Sequence, residues 1–367
     1  MLYTADTDAA RYVLKVALPL LPVAKTTSEV ATMKVVAQKT SIPVPQVIAY
    51  GTDTSDIEFE WILMTRLPGT ELGLVGRAMS SDELANVVRQ IAGYQSELCQ
   101  YSFSCIGSLQ ENELGYPDVV CKNSTSGPEV YPMDPYCTTE RFMLDHLSLD
   151  IPATTFTKAS NWLKHRLDIF THCQDALIKR YSPITDENPT DEHQSEEIEE
   201  NHRDEVYWHY SHGTLEQAQR RKALAQKLQA LTIKILQNTE SDTNHFELFH
   251  HDLSSGNILV DQHGNVTGIL DWEQITTVPM WHAFSEPFIL YGDDVQSDAA
   301  DCTSHDPSSC RKEIFFESVA EKDAELLRDT YFYSMVERCP LWAVFYETAQ
   351  LQQLLSHAVD CIGLVGK

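Results

Sequence analysis

The sequence predicts an α+β protein in which a small lobe of strands and one helix precedes a larger, mainly helical lobe. Residues 1–67 alternate short apolar, strand-like runs with one helical pattern. From about Ser80 onward, apolar residues recur mostly at helical spacing. Pro68 and Gly69 end the last strand of the first region. These observations predict lobes over 1–67 and 68–367, with a hinge near residues 64–69.

The small lobe is predicted to contain a strand, a helix, an extended segment and a second strand. In chain order, these elements cover Tyr12–Ala17, Thr27–Ser28 as an N-cap followed by a helix through about Lys39, 41–51, and Glu60–Leu67. The buried face of the helix is predicted to comprise Val30, Met33, Val36 and Ala37. Pro43 and Pro45 keep the third segment extended because each disfavours helix at the preceding residue.

The larger lobe is predicted to contain five helices. They cover Ser81 to about Tyr101, Phe156–Tyr181, Leu215–Asn238, Glu317–Tyr333 and Leu341–Ile362. An acidic segment at about 183–205 separates the second helix from the third, and its residues 186–205 hold ten carboxylates and one arginine. This composition predicts a disordered insertion, with a polyanionic docking site as the alternative.

Charge and cysteine usage limit the partners and the compartment. A net charge of −27 argues against binding to nucleic acid or to an anionic membrane, whose phosphates would be repelled. No apolar run approaches the ~20 residues that span a bilayer. The nine cysteines form no C-x-x-C pair and no zinc-ligand pattern, so they indicate reduced thiols in a cytoplasmic protein.

The most informative stretch is HHDLSSGNILVDQHGNVTGILDWE, residues 250–273. His250, Asp252 and Asn257 form H-x-D-x-x-x-x-N, and Asp271 follows an apolar run. Phosphoryl transfer needs a carboxylate that accepts the proton of the acceptor, and oxygen ligands that hold magnesium. Asp252 fits the base, and Asn257 and Asp271 fit the metal ligands. Alternatively, each of the three is a turn or cap residue.

The context of these residues favours a site. Polar residues between two apolar runs are typical of a loop that a packed scaffold presents to solvent. A turn at Gly264 and Asn265 predicts a hairpin that returns Asp271 toward Asn257. His250 is expected to pack and to hydrogen-bond the loop backbone rather than to transfer protons.

HHDLSSGNILVD…GILDWE resembles the H-G-D-x-x-x-x-N…D-[WF]-E signature of the aminoglycoside phosphotransferase and choline kinase superfamily. YVLKV and SEVATMKVVAQKTSIPVPQVIAYG are similar to that family's lysine-bearing strand, next helix and next strand. The resemblance covers most of 10–70 and 245–290. It implies a two-lobed protein-kinase-like fold and an ATP- and Mg²⁺-dependent phosphotransferase that acts on an alcohol group of a small-molecule acceptor.

The resemblance also implies roles for residues of the small lobe. Lys15 would reach the α- and β-phosphates, held by an ion pair with Glu29. The alternatives are a surface lysine, or a lysine paired with another carboxylate. The backbone of Met64, Thr65 and Arg66 would meet the adenine; otherwise Leu63 or Met64 is ordinary core.

Departures from the family pattern leave two functions open. Trp272 and Glu273 stand where protein kinases have Phe-Gly, which favours a small-molecule kinase. Ser254 and Ser255 replace the usual His-Pro. No glycine precedes Lys15, so the phosphate-covering glycine-rich turn and the first two strands are expected to be missing or severely shortened. The chain is therefore either a phosphotransferase or a kinase-fold binding protein with impaired turnover.

The nature of the acceptor is suggested by residues after Asp271. Trp281, Glu286, Asp293 and Asp294 fall where the superfamily often shapes its acceptor pocket. Residues 291–306 carry five aspartates and no lysine or arginine, which favours a cationic acceptor such as an amine-bearing alcohol or sugar. A solvated acidic loop explains the same residues.

Overall fold

A computed structural model describes nine stretches of the chain. They are residues 2–6, 11–17, 21–53, 57–110, 133–134, 155–181, 214–236, 246–290 and 321–360. The acidic segments 183–205 and 291–306 lie outside the described residues, so the predictions made for them stay predictions.

The described residues form helices and small antiparallel sheets, which confirms the α+β prediction. The helices are α1 (Ala24–Lys39), α2 (Leu72–Val75), α3 (Ser81–Leu98), α4 (Ala159–Tyr181), α5 (Leu215–Leu236), α6 (Met280–Ala283), α7 (Glu321–Arg338), α8 (Pro340–Thr348) and α9 (Gln350–Asp360). The strands are β1 (Leu2–Asp6), β2 (Arg11–Val16), β3 (Val47–Gly51), β4 (Trp61–Thr65), β5 (Thr70–Glu71), β6 (Ser108–Leu109), β7 (Met133–Asp134), β8 (Phe246–Phe249), β9 (Ile258–Val260), β10 (Val266–Ile269) and β11 (Thr276–Pro279).

The first sheet has the strand order β1-β2-β4-β3. On β2, Lys15 lies between Leu2 of β1 and Ile62 of β4. Strand β1 was not predicted, since the strands before Lys15 were expected to be missing or severely shortened. All five of its residues pair with β2, and the hydrogen bonds of this ladder stabilise a segment whose short apolar pattern is a weak signal by itself.

Helix α1 begins at Ala24, so the predicted N-cap at Thr27 and Ser28 is wrong. A turn around Pro22 starts the helix earlier, with Leu21 and Val23 at positive φ of 49° and 68°. The backbone N–H of Val23 donates to the Glu60 carboxylate, a long-range contact that replaces a local side-chain cap. Of the residues predicted to form its buried face, Val30, Met33 and Val36 are buried, whereas Ala37 is exposed.

Of the helices predicted for the larger lobe, one begins close to its predicted start and another is divided in two. Helix α3 begins with a capping box in which Ser80 and Glu83 bond each other's backbone N–H, close to the predicted start. The helix predicted over Leu341–Ile362 is divided into α8 and α9 at Ala349. Backbone hydrogen bonds continue across this break. The Ala349 N–H donates to the Phe345 carbonyl, and the Ala349 carbonyl accepts from the Gln353 N–H.

The predicted hairpin is formed by β9 and β10, with Ile258 paired to Ile269. Its turn is held by the Asp261 carboxylate, which accepts from the N–H groups of His263 and Asn265 at 2.8 and 2.9 Å. Gly264 occupies the left-handed region at φ 74°. The hairpin thereby carries the chain from the Asn257 end of β9 back to the same end.

Strand β5 joins this hairpin to the segment that follows β4. It pairs with β9, Thr70 opposite Val260, in a sheet of order β10-β9-β5. The Thr267 hydroxyl also donates to the Pro68 carbonyl at 2.6 Å. Gly69 has a φ of 112°, and a Cβ there would lie 2.2 Å from the Thr267 hydroxyl oxygen, so only glycine fits this crossing.

A continuous apolar core lies behind the hairpin and α3. Its largest fully buried side chains include the four tryptophans Trp162, Trp272, Trp281 and Trp342. The Trp272 indole N–H donates to the Ile269 carbonyl at 2.9 Å, so the residue after Asp271 is fixed to β10. Across the described ranges, we find no helix with the length and apolarity that crossing a bilayer requires.

We expect Gly264→Ala to lower the free energy of unfolding by about 2 kcal/mol, because a left-handed non-glycine residue is strained. The new Cβ would also approach the Glu83 carbonyl oxygen to 2.9 Å. Urea unfolding measures the effect. Gly256→Ala is the matched control, because its Cβ would meet nothing closer than 4.0 Å; equal losses in both variants would contradict this account of the turn.

Candidate active site

Backbone hydrogen bonds fix the loop from His250 to Asn257 after β8 ends. The Asn257 N–H donates to the Ser254 carbonyl at 3.0 Å, which closes a tight turn. The Ser255 carbonyl accepts from Gly73 at 2.9 Å, and the Leu253 carbonyl accepts from Ile289 at 3.1 Å. The loop is therefore held from two sides by segments distant in sequence.

His250 is buried and supports this loop from below. Its Nε2 lies 3.0 Å from the Leu270 carbonyl, and its Nδ1 accepts from the Asp252 N–H at 3.3 Å. Its ring meets Trp272 edge-on, with 4.8 Å between centroids. Burial lowers the pKa of His250 to about 4. The prediction that His250 packs and bonds the backbone is confirmed.

Asn257 bonds directly to Asp252. Its amide nitrogen donates to the Asp252 backbone carbonyl at 2.9 Å and to the Asp252 carboxylate at 3.1 Å. This orients the carboxylate and leaves the Asn257 side-chain oxygen without a hydrogen-bond donor among the residues that the structure describes. Asp252 is partly exposed, as a group that meets a substrate must be.

Asp271 comes to this pair through the hairpin. The Leu270 N–H donates to the Asn257 carbonyl at 2.8 Å, which continues the register of β9 and β10 by one residue. Asp271 then leaves the strand at a positive φ of 60°, and its side chain is 41% exposed. The predicted approach of Asp271 to Asn257 is confirmed.

The oxygens of this group fit a magnesium ion. Mg²⁺ prefers hard oxygen ligands and is usually held by one or two protein groups together with phosphates. The Asn257 side-chain oxygen and the Asp271 carboxylate supply two such donors. Burial raises the pKa of Asp271, while the nearby Lys15 ammonium opposes the rise; a bound cation would favour the charged carboxylate further.

Lys15 reaches this group from β2. Its ammonium lies 2.8 Å from Glu29 and 2.9 Å from Glu273, and 3.5 Å from the Asp271 carboxylate. The predicted ion pair of Lys15 with Glu29 is present, and it joins strand β2 to helix α1. Burial opposes the charged ammonium, but the three carboxylates outweigh it and raise the pKa of Lys15 above its usual value.

Two residues of this cluster were missed. Glu273 bridges Lys15 and Lys25, whose ammonium lies 3.3 Å from the same carboxylate oxygen. Burial acts against the charged form of Glu273, yet the two lysines lower its pKa. Two sequence signals could have identified them. Glu273 is the acid of the D-W-E motif, and Lys25 lies four residues before Glu29, which places both on one helix face.

The predicted adenine-contacting stretch is mostly engaged within the sheet. Met64 is buried between β2 and β3. The N–H of Thr65 donates to the Gln46 carbonyl and that of Arg66 to the Arg11 carbonyl, both at 2.9 Å. The next amide, that of Leu67, has no acceptor among the described residues.

The residues suggested for the acceptor pocket differ in position. Trp281 is 1% exposed and packs on Trp162 with ring centroids 6.5 Å apart, so it belongs to the core and does not line a pocket. Glu286 is partly exposed and accepts from the Tyr346 hydroxyl at 3.3 Å. Asp293 and Asp294 lie outside the described residues.

The depressed pKa of His250 predicts a pH-dependent stability. Its pKa is about 4 in the folded protein and about 6.5 when unfolded. Between these values the unfolded state binds one more proton, so this contribution to stability is full above pH 6.5 and falls as the pH drops to 4. We expect His250→Gln to reduce the slope of unfolding free energy against pH by about 1.4 kcal/mol per unit in this window.

Urea unfolding between pH 4 and 7 measures that slope. His263→Gln, at an exposed position, is the control for replacing an imidazole with an amide. A slope in His250→Gln equal to that of the unmodified chain would show that another group titrates.

Comparisons with curated proteins find short local matches. The chain is 35% identical over 85 residues to a subtelomeric hrmA-associated cluster protein of Aspergillus fumigatus, which is 23% of this chain and 17% of that protein. It is 40% identical over 88 residues to altered inheritance of mitochondria protein 9 of Meyerozyma guilliermondii, 23% of this chain and 14% of that protein. The matched part is thus a small fraction of either relative.

Comparisons with solved structures find matches along the whole chain. A thermostable mutant of the aminoglycoside phosphotransferase APH(4)-Ia in its apo form shares 13% identity, with a TM-score of 0.41 over 100% of this chain and 92% of that one. A thermostable mutant of the same enzyme in ternary complex with ADP and hygromycin B shares 13% identity, with a TM-score of 0.40 over 100% and 94%.

The model of the phosphotransferase enzyme family matches residues 2–284. This range contains Lys15, the loop from His250 to Asn257, and Asp271. Because the match extends over well more than half of the sequence, the chain belongs to the phosphotransferase enzyme family and has its α+β, protein-kinase-like fold.

Proposed function

We propose that the chain transfers the γ-phosphoryl group of ATP to a hydroxyl of a small-molecule acceptor. The observation that carries this proposal is the hydrogen-bonded pair of Asp252 and Asn257 with Asp271 at the same end of one hairpin, and the Lys15 ammonium beside Asp271. Phosphoryl transfer depends mainly on positioning and on stabilising charge. This group offers one base, two metal-ligand oxygens and one phosphate-binding cation within a single cluster.

Each residue then has one task in the transfer. Asp252, oriented by the Asn257 amide, accepts the proton of the attacking hydroxyl while the bond from γ-phosphorus to the bridging oxygen breaks and ADP leaves. Asn257 and Asp271 would hold the metal ion, and Lys15, itself oriented by Glu29, would bind the α- and β-phosphates. When bound, Mg²⁺ would neutralise the charge of the phosphate oxygens.

The nucleotide base is assigned to the segment after β4. Because the N–H groups of Thr65 and Arg66 are bonded within the sheet, we assign the donor for adenine to the Leu67 N–H. Met64 shapes the inner end of this cleft from its buried position in β4. Adenine would lie against the short segment that joins β4 to β5.

The acceptor is proposed to carry a positive charge. Glu286 is a partly buried carboxylate whose hydrogen-bond donor among the described residues is the Tyr346 hydroxyl, and burial raises its pKa, although this hydrogen bond and the charge of Arg328 oppose the rise. A cationic group nearby would favour its charged form. The acidic composition of residues 291–306 points to the same class, an amine-bearing alcohol or sugar.

A binding protein with impaired turnover is the second candidate. The observation that favours it is that residues 2–14 contain no glycine. A glycine-rich turn lets backbone N–H groups approach phosphates closely. If these residues are the ones that cover the phosphates, Lys15 has to supply more of the phosphate binding, and weak binding of Mg·ATP follows.

We expect Asp252→Asn to bind Mg·ATP with a Kd within about twofold of the unmodified chain. Its ATP consumption, measured with a panel of amine-bearing alcohols, should fall at least ~100-fold, because only the proton acceptor is lost. Asp271→Asn should weaken the Mg²⁺-dependent part of binding in calorimetry. Asp82→Asn, an exposed carboxylate on α3, is the control for both measurements.

The outcomes separate the two candidates. Binding of Mg·ATP without consumption by the unmodified chain favours the binding protein. A folded preparation that binds no nucleotide at millimolar ATP rules out the phosphotransferase.

A further inference from the structure

Lys25 is a buried lysine in an unfavourable place. It is the second residue of α1 and is 4% exposed. The macrodipole of a helix disfavours a cation in its first turn, and burial of an ammonium is costly unless a carboxylate pairs with it. The single carboxylate within hydrogen-bonding distance among the described residues is Glu273, at 3.3 Å.

Glu273 is shared between two lysines. The same Oε2 atom lies 2.9 Å from Lys15 and 3.3 Å from Lys25. Lys15 in turn contacts Glu29 and Asp271. The cluster therefore holds three carboxylates and two ammonium groups. The contact of Lys15 with Glu273 competes with the contact that Lys15 would make with the phosphate of a nucleotide.

A carboxylate that loses Lys15 needs another counterion. An uncompensated, partly buried charge is costly, so Glu273 would hold Lys15 strongly if Lys15 were its only partner. Lys25 removes that cost, since it is already in contact and stays with Glu273. Lys25 lies one helical turn before Glu29. One face of α1 therefore supplies both Glu29, which contacts Lys15, and Lys25, which contacts Glu273.

We propose that Lys25 is a positioning residue that retains Glu273 when Lys15 turns to the phosphates of the nucleotide. This inference rests on the proposed nucleotide binding and adds to it a residue that need not touch the nucleotide. Lys25 acts through Glu273: it lowers the competition that the nucleotide meets at Lys15. Its effect must therefore disappear when Glu273 carries no charge.

The test is a double-mutant cycle read by calorimetry with Mg·ADP and with a non-hydrolysable Mg·ATP analogue. Lys25→Met should raise Kd about tenfold, equal to about 1.4 kcal/mol. In a Glu273→Gln background, the same substitution should change Kd less than about twofold. Lys25→Arg should retain tight binding, because a guanidinium also pairs with the carboxylate.

Lys34→Met is the matched control. Lys34 lies on the same helix, over the Tyr50 ring at 5.6 Å, and away from the cluster, so Kd should be unchanged. Urea unfolding checks each variant, and Lys25→Gln replaces Lys25→Met if the latter does not fold.

Three results would overturn the inference. An equal loss of affinity with and without Glu273 would mean that Lys25 binds the nucleotide directly or only supports the fold. No loss in Lys25→Met would remove its role altogether. No binding by the unmodified chain would reject the proposed function as well, which distinguishes that failure from the other two.

Discussion

The contact of the Lys15 ammonium with three carboxylates joins the separate parts of this molecule. Glu29 belongs to α1, while Asp271 and Glu273 follow β10. The strand, the helix and the hairpin thus converge on one cation, and each depends on the others for charge compensation. A charge cluster of this kind is costly to bury and is stabilised only when every partner is in place, so the site and the packing of the small sheet are specified together.

Local sequence signals predicted the centre of the site well. The hairpin from Asn257 to Asp271 follows from a turn at Gly264 and two apolar runs, and all of its determinants lie within one short stretch. The position of His250 was predictable for the same reason. The helix start at Ala24 was not, because it depends on Glu60, which is distant in sequence and bonds the Val23 backbone.

Two of the remaining differences also have long-range causes. Lys25 is recognisable as a site residue only when Glu273 is placed beside it, and that proximity is a property of the folded chain. Trp281 follows the motif closely enough to suggest a pocket, yet packing against Trp162 places it in the core. Strand β1 is explained by its pairing with β2. Spacing along the chain thus predicted which side chains come together at the hairpin, whereas their electrostatic surroundings required the fold.

The anchoring of the segment after β4 has a mechanical consequence. Arg66 is tied to β2 through its N–H, while Pro68 is tied to the hairpin through the Thr267 hydroxyl. The proline ring fixes its own φ. Leu67 therefore lies between an anchor on the first sheet and an anchor on the hairpin. The residue proposed to donate to the base of the nucleotide is thus the link between the two anchors, so that a ligand bound there would contact both the first sheet and the hairpin through one peptide unit.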